Sequence, residues 1–383
     1  MRRLALLVLL GPLACGGEET SASVSNDPFS QESCESCHAR INPGLVADHR
    51  ASPHLSIPLA CEDCHGTDHD DIFRRQGEVS PLVCAECHEQ AYEEFARSRH
   101  GIRLREGRMD ELLDPAMWAT GGCTATAGCH SIQRPYPDGS VGRCGACHIT
   151  HAFRNAEARD PRVCTHCHEG PDNPQHAVWL RSAHGLPSPT GKGHVADCVA
   201  CHGTHDVSDA VVHGLPPVAD PFPVSVIPRA KVDDFERARA VMLERCKACH
   251  TTRIARAALV RADIWRNRGA VYLEEAARIV RELDDEGLLH PAPRDRIPNV
   301  VAGHALRLGG AQIFDERVSL PERLYYEMHF HHYPALWRSA YHNDPERLMW
   351  YANDAMKSAL DRLRAVADDL RRRKGRGNAP GSD

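Results

Sequence analysis

A cysteine pair followed directly by a histidine recurs through the first two-thirds of the chain. The pattern Cys-x-x-Cys-His occurs seven times between residues 34 and 250, and a stretched copy, with five residues between its cysteines, stands fourth in order. Two thiols on one turn can bond the two vinyl groups of one porphyrin, and the next histidine can bind its iron. The pattern therefore predicts covalently attached haem c and a role in electron transfer.

The motifs use sixteen of the seventeen cysteines and leave only Cys15 outside a pair. The predicted thioether residues are Cys34, Cys37, Cys61, Cys64, Cys84, Cys87, Cys123, Cys129, Cys144, Cys147, Cys164, Cys167, Cys198, Cys201, Cys246 and Cys249. The predicted iron ligands that follow them are His38, His65, His88, His130, His148, His168, His202 and His250. Eight haems are expected, including one at the stretched motif, where a single thioether or a plain insertion is the alternative.

Three other interpretations explain the cysteines less well. Zinc sites pair Cys-x-x-Cys units in twos and have no need of a histidine beside every second cysteine. A disulfide framework in an exported chain also leaves the eight adjacent histidines without a purpose. A redox-active Cys-x-x-Cys would be expected once or twice, near a βαβ unit, and not eight times.

The seventeen remaining histidines determine which irons have a second protein ligand. An iron with histidine on both faces suits outer-sphere electron transfer, whereas an open face can bind a substrate. Two near-copies, Arg-Ser-Arg-His-Gly and Arg-Ser-Ala-His-Gly, and two Cys-His-x-Thr-His phrases supply patterned candidates. Six distal ligands are predicted: His49 or His54, His69, His100, His151, His184 and His205. His304, or else His329, His331 or His332, could supply a seventh, and seven distal ligands for eight haems would leave one iron open.

The N-terminus predicts export. Arg2 and Arg3 precede a short apolar run over residues 4–10, which is too short to span a membrane, and residues 12–16 resemble a lipoprotein cleavage site at Cys15. Residues 1–15 are therefore expected to form a signal peptide with a lipidated Cys15, and residues 16–31 a flexible tether. The expected location is the periplasmic side of a bacterial membrane, the outer membrane being favoured; ordinary secretory cleavage is the alternative.

Composition predicts a mainly α protein with two unequal regions. Only 5% of residues are aromatic, and the segment 32–250 is too short and too interrupted to bury its own apolar core, so porphyrins must fill it. Residues 251–374 lack cysteine and show helical periodicity, with helices expected at 263–286, near Val301, near Pro321 and after Asp344; residues 375–383 are expected to be disordered. The last helix has one apolar face, formed by Met349, Ala352, Met356, Leu360, Leu363, Ala367 and Leu370. The net charge of −6, with basic and acidic residues mixed, indicates no nucleic-acid surface.

Eight motifs followed by a cysteine-free helical tail resemble the octahaem cytochromes c of the hydroxylamine oxidoreductase group. The stretch from His168 through Asp172 to His184, and the stretch from Tyr341 to Tyr351, are similar to segments of that family. The resemblance implies a catalytic fourth haem, here bound by His130, in a pocket with an acid–histidine pair matched by Asp172 and His176. It also matches Tyr341 to a tyrosine that oxidative members cross-link from a neighbouring subunit, which implies a homo-oligomer.

The function that the resemblance implies is multi-electron chemistry on hydroxylamine, nitric oxide or nitrite at one open haem, with seven haems for electron transfer. The expected partners are that small nitrogen compound, a redox partner such as a cytochrome or a quinol oxidase, and the membrane through the lipid anchor. Two alternatives remain open at this point. One is a non-catalytic electron carrier between quinol oxidation and a terminal acceptor, and the other is an octahaem reductase of sulfur oxyanions.

Overall fold

The computed structural model describes residues 31–57, 59–101, 129–170, 173–191, 193–208, 229–290, 299–301, 304–306 and 319–377. Most of the described residues are helical, as the sequence predicts. The haem-motif region is built from short helices: α1 Gln31–Ile41, α2 Pro43–Arg50, α3 Cys61–His65, α4 His69–Arg74, α5 Pro81–Arg97, α6 Asn155–Ala158, α7 Pro161–Thr165, α8 Gln175–Leu180, α9 Cys198–His202 and α10 Arg229–Lys247. Single 3₁₀ turns at Pro53–Ser56, Cys129–Gln133 and Cys144–Ala146 lie between them.

These short helices begin where a polar cap and a proline allow it. Asp160 accepts a hydrogen bond from the amide of Arg162, with Pro161 in the first turn of α7. Ser80 caps α5 in the same way, and Pro81 follows it. Such caps satisfy amides that a helix of one or two turns cannot satisfy internally. The local sequence therefore places each regular cysteine pair that the structure describes on a single helical turn.

The C-terminal region contains the longer helices and the apolar core of the described residues. Its elements are α11 Thr252–Asp285, α12 Leu320–Glu327, α13 Tyr333–Tyr341 and α14 Asp354–Gly377, with π-helical turns at Met328–His332 and Arg347–Asn353. Leu283, Leu336 and Leu363 are fully buried where α11, α13 and α14 meet. Gly269 allows α13 to approach α11, because a Cβ there would lie 2.7 Å from the ring of Tyr333. This region needs no cofactor to bury its side chains.

Two expectations about this region are wrong in detail. The first long helix begins at Thr252 and not at residue 263, because Thr251 accepts a hydrogen bond from the amide of Ile254 and caps it. The segment near Val301 is not helical. Asn299–Val301 pairs in antiparallel register with His304–Leu306 to form a two-stranded sheet of β1 and β2.

The helix expected after Asp344 forms, but with a shifted register. Asp344 accepts a hydrogen bond from the amide of Arg347, and the first turns are π-helical before α14 continues to Gly377. The extra residue in the π turn moves Leu348 into the core and leaves Met349 44% exposed. The predicted face is otherwise buried from Ala352 to Ala367. Among the described residues, no helix has the length and apolar content that crossing a bilayer requires.

Candidate haem-binding sites

Each described motif brings its two cysteines and its histidine to one side of a turn. In three of them the histidine amide donates to the carbonyl of the first cysteine: His148 to Cys144, His168 to Cys164 and His250 to Cys246, at 2.9 to 3.0 Å. This i to i−4 bond sets positions i, i+3 and i+4 on the same face of the turn. The geometry is the one that two thioethers and an axial histidine of a single porphyrin require.

Every one of the seven regular motif histidines faces a second histidine. The ring centres are 5.9 to 6.5 Å apart. An iron bound on both sides, with bonds of about 2.0 Å to each imidazole nitrogen and ring centres about 1.1 Å behind them, would separate the centres by about 6.2 Å. The pairs are His38 with His69, His65 with His151, His88 with His54, His148 with His205, His168 with His100, His202 with His342, and His250 with His184.

The structure therefore places six of the predicted distal histidines opposite a motif histidine: His54, His69, His100, His151, His184 and His205. His49, offered as an equivalent of His54, faces no motif histidine among the described contacts, since His54 occupies the place opposite His88. The seventh place belongs to His342, which sequence reasoning missed. His304 lies in β2, but its side chain is outside the described part of the structure.

The pair His202–His342 shows how the protein aims its ligands. The Nδ1 atom of His202 lies 2.8 Å from the carbonyl oxygen of Ser208, and Nδ1 of His342 lies 2.8 Å from that of Arg338. A carbonyl can only accept, so each Nδ1 carries the proton and each Nε2 is left with its lone pair for the metal. Burial lowers the pKa of His342 to about 4, which keeps the ring neutral and able to bind at neutral pH.

The near-copied phrases around His100 and His184 fold alike. Ser98 Oγ donates to Phe95 O at 2.6 Å and accepts from the amides of His100 and Gly101. Ser182 Oγ donates to Trp179 O at 2.7 Å and accepts from the amides of His184 and Gly185. A Cβ on Gly101 would approach Phe95 O to 2.4 Å, and one on Gly185 would approach Trp179 O to 2.1 Å. Serine and glycine together thus form a turn that presents the intervening histidine.

Burial also affects the pKa of histidines in several of the other pairs. Burial lowers the pKa of His168 to about 4, with a further contribution from the facing His100. Burial also lowers the pKa of His65, His100, His148, His151 and His184. Imidazole binds a metal only in its neutral form, so this buried environment favours iron ligation over protonation.

The described motifs lie near one another in a line. The thiols of Cys84 and Cys144 hydrogen-bond, which raises the pKa of Cys84 and lowers that of Cys144. Cys164 and Cys198 make the same contact. Burial and then the adjacent thiol raise the pKa of Cys61 beside Cys34, of Cys64 beside Cys84, of Cys147 beside Cys164, and of Cys201 beside Cys246. Among the seven motifs that the structure describes, the third thus meets the fifth directly, and the first and last are the ends of the line.

The predicted catalytic residues are only partly described. The 3₁₀ turn Cys129–Gln133 carries His130, but the side chains of Cys129 and His130, and all of Cys123 and Asp172, lie outside the described residues, as does Cys15. Nδ1 of His176 lies 2.6 Å from Oε2 of Glu169, so the described acid beside this histidine is Glu169, which sequence reasoning missed.

Tyr341 has a role within its own chain. Its hydroxyl donates a hydrogen bond to Oδ1 of Asp263, and Nη2 of Arg239 lies 2.7 Å from the same oxygen. Burial, and then the bond to Asp263, raise the pKa of Tyr341 above its ordinary value. This geometry connects α10, α11 and α13.

Comparison with protein families identifies the class. A family model described as seven times multi-haem cytochrome CxxCH matches residues 113–196 and 189–296. The chain is a multihaem c-type cytochrome. The motif turns and facing histidines are what such a cytochrome needs, and the residues present fit covalently bound haem c.

Two sets of relatives refine the class. The chain is 24% identical to a probable nitrite reductase–hydroxylamine oxidoreductase fusion protein of Kuenenia stuttgartiensis, with 90% of this chain and 52% of that protein covered. It thus spans about half the length of this curated relative. Among solved structures, a chain of the reducing HAO-like protein complex of Kuenenia stuttgartiensis matches with a TM-score of 0.65 at 21% identity, over 90% of this chain and 86% of that one. A hypothetical multiheme protein matches with a TM-score of 0.64 at 17% identity, over 90% and 96%. The structural likenesses show a shared fold, and the family match and the curated relative support a multihaem redox role.

Proposed function

We propose that this multihaem cytochrome is an exported octahaem oxidoreductase that acts on hydroxylamine, nitric oxide or nitrite at the haem held by Cys123, Cys129 and His130. The observation that supports it is the complete pairing of the seven regular motifs, each of which already has a histidine on both sides of the iron position. Irons with two histidine ligands have no place for substrate. The open place is assigned to the fourth motif.

Three further histidines of the described residues have other partners. His194 has its Nδ1 atom 2.6 Å from the carbonyl of Gly185, His176 pairs with Glu169, and His329 packs against Tyr325 and Phe330. The relative whose name includes nitrite reductase and hydroxylamine oxidoreductase supports the nitrogen chemistry. An open haem iron would bind the nitrogen of such a compound, and the seven paired haems would supply or remove its electrons.

The chain's own contribution to the reaction is proton transfer and positioning. Glu169 and His176 form a carboxylate–imidazole pair in the stretch that resembles the family's pocket, and their 2.6 Å separation allows one proton to be shared. We assign proton delivery to this pair, together with Asp172. Electrons would reach the line of motifs from a redox partner such as a cytochrome or a quinol oxidase, and Cys15 would anchor the exported chain to a lipid surface.

The deciding experiment is low-temperature electron paramagnetic resonance of the purified holoprotein, combined with turnover assays for nitrite and hydroxylamine. One high-spin ferric haem that binds cyanide or nitric oxide, with turnover of one substrate, is expected. Cys123→Ser/Cys129→Ser should remove the high-spin signal and the turnover while leaving the low-spin haems in place. Eight low-spin haems without turnover would instead establish the electron-carrier alternative.

The haem count and the anchor have separate tests. Intact-mass measurement should give the mass of eight attached haems, falling to seven in Cys123→Ser/Cys129→Ser. Cys15→Ser should move the haem protein from the membrane to the soluble periplasmic fraction, as measured by fractionation of the cells that express it. A soluble wild-type protein would favour ordinary secretory cleavage over lipidation.

A further inference from the structure

One face of α11 combines exposed arginines with exposed apolar side chains. Val260, Ile264 and Val271 are 55%, 62% and 53% exposed. With 3.6 residues per turn, they share this face with Ala257, Arg253 and Arg268, while Arg256 and Arg261 flank it on either side. These residues define the α11 basic face, which extends about 27 Å along the helix.

The charge of this face is one-sided. Between Thr252 and Leu273 the only acidic residue of α11 is Asp263, which is held by Arg239 and Tyr341. Arg253, Arg256 and Arg261 form no ion pair within the part of the chain that the structure describes, and Arg268 lies over the ring of Trp265 at 5.1 Å. Lys247, just before the face, is neutralised by Glu244 at 2.8 Å. Towards its C-terminal end the helix changes character, because Arg278 there is bonded to Glu275 and Glu282. The α11 basic face therefore carries positive charge on a chain whose net charge is −6.

The α11 basic face lies next to the last haem motif in the sequence. Thr251, the cap of α11, directly follows His250 of the last motif, and that motif is one end of the line of motif contacts. Electrons can enter or leave a line of haems at an end that a redox partner can approach. A surface that begins three residues beyond the terminal ligand is placed to hold a redox partner there.

We propose that the α11 basic face docks an acidic electron-transfer protein that exchanges single electrons with the haem of Cys246, Cys249 and His250. Positive charge would steer the acidic partner to the surface, and the β-branched side chains would form the apolar centre that holds it. An anionic membrane is a poorer fit, because interfacial helices bury Trp, Phe or Leu, and this face has only Ala, Val and Ile among its arginines. The inference rests on haem attachment at the last motif and is independent of the substrate at the fourth.

The test uses two one-electron acceptors of opposite charge. Fully reduced holoprotein is mixed in a stopped-flow instrument with copper(II) plastocyanin, an acidic protein, or with ferricytochrome c, a basic one. In each case a ferrous haem is oxidised, the acceptor metal gains one electron, and no proton moves. Binding of plastocyanin to the immobilised holoprotein is measured in parallel at low and high salt.

The charge-reversal variant Arg256→Glu/Arg261→Glu leaves Arg253, beside the motif, intact. Its rate constant with plastocyanin at low ionic strength is expected to fall by about tenfold, and binding to weaken in parallel, because electrostatic steering accelerates association by 10-fold or more. The matched variant Lys357→Glu/Arg362→Glu, on the exposed side of α14, should change that rate by less than about twofold. The reaction with ferricytochrome c should not slow in either variant.

Two results would overturn the proposal. One is an unchanged plastocyanin rate and affinity in Arg256→Glu/Arg261→Glu, with haem content and melting temperature preserved. The other is a loss of binding to phosphatidylcholine–phosphatidylglycerol vesicles with unchanged plastocyanin kinetics, which would assign the face to a membrane. Turnover of nitrite or hydroxylamine with a dye as electron donor should be the same in all variants, so failure of the docking proposal is distinguishable from failure of the proposed enzymatic function.

Discussion

At the residue scale, His342 is the residue that completes the ligand set. It ends α13, its ring centre is 6.2 Å from that of His202, and its Nδ1 atom is held by the carbonyl of Arg338. Its side chain is buried, and burial lowers its pKa to about 4. A buried neutral imidazole aimed at a motif histidine is suited to bind the second face of that iron.

Replacing His342 by glycine should convert one low-spin haem to high-spin, because the iron held by His202 would lose its second ligand. Electron paramagnetic resonance should show one additional high-spin ferric signal, and added imidazole should remove it by filling the vacated position. His331→Gly, in the adjacent π turn, is the control and should leave the spectrum unchanged. A spectrum of His342→Gly identical to that of the wild type would mean that another residue binds this iron.

Gly185 tests the turn that presents His184. A methyl group there would meet the carbonyl oxygen of Trp179 at 2.1 Å, and backbone cannot move aside as a flexible side chain can. Gly185→Ala should therefore displace His184 and give partial high-spin character to the haem of His250. Gly44→Ala, where no atom lies within 4 Å of the new Cβ, is the control. If both variants keep fully low-spin spectra, the turn does not position the ligand.

Residue patterns predicted the ligands that stand in short, repeated phrases. Cys-x-x-Cys-His and the Ser-x-His-Gly turns are local structures, because caps and i to i−4 bonds within a few residues set their geometry. His342 could not be found in this way. It lies 140 residues beyond His202 in the sequence and is brought to it only by the packing of α13. The one feature of the sequence that points to His342 is its place in the Tyr341–Tyr351 stretch that resembles the family. In that stretch the resemblance assigns a role to Tyr341 and none to His342.

At the element scale, the approach of α11 and α13 depends on Gly269. A Cβ at this position would lie 2.7 and 2.8 Å from Tyr333 and Leu336. Gly269→Ala should lower the free energy of unfolding by about 1–3 kcal/mol through overpacking, although alanine favours a helix by about 1 kcal/mol. In α14, Gly375→Ala meets no atom within 4 Å and should be neutral or stabilising. Denaturant unfolding measures the free energy of unfolding of both variants. Equal values for Gly269→Ala and the wild type would show that α13 can shift away from α11 without loss of stability.

The Tyr341–Asp263 hydrogen bond should make the helical region sensitive to alkaline pH. Burial and this bond raise the pKa of Tyr341 in the folded chain, so the folded state holds the phenol proton more tightly than the unfolded state does. The stabilisation is complete below the unfolded pKa of about 10 and is lost as pH rises above it. Tyr341→Phe should be less stable by about 1 kcal/mol at pH 8 and should lose less stability than the wild type between pH 10 and 11.

The measurement is denaturant unfolding from pH 8 to pH 11, with the exposed Tyr351→Phe as the control. Parallel stability curves for the wild type and Tyr341→Phe would exclude a buried phenol proton as the cause.

The π turn at Arg347–Asn353 shows why helical periodicity was only partly informative here. A regular 3.6-residue pattern assigns Met349 to the core, and the inserted residue replaces it with Leu348.

At the scale of the whole molecule, the described motifs follow one another in a line in which the third motif meets the fifth. The thiol of Cys84 in the third motif contacts that of Cys144 in the fifth motif. Two sulfurs that would each carry a porphyrin are therefore neighbours in space, although the fourth motif lies between them in the sequence. This relation could not be predicted from sequence order, which places the stretched motif between them. It follows from tertiary packing around groups that the sequence specifies only by their attachment points.

Removing the fourth haem should therefore leave conduction along the line intact. In Cys123→Ser/Cys129→Ser, electrons injected by pulse radiolysis should spread among the remaining haems as fast as in the wild type, because the contact between the third and fifth motifs is retained. Cys84→Ser/Cys87→Ser removes the haem on one side of that contact, so electrons must cross a longer gap between the remaining haems. Redistribution between the two ends should slow by at least about tenfold, which corresponds to about 1.4 kcal/mol of activation free energy. Equal slowing in both variants would place the fourth haem on the line and not beside it.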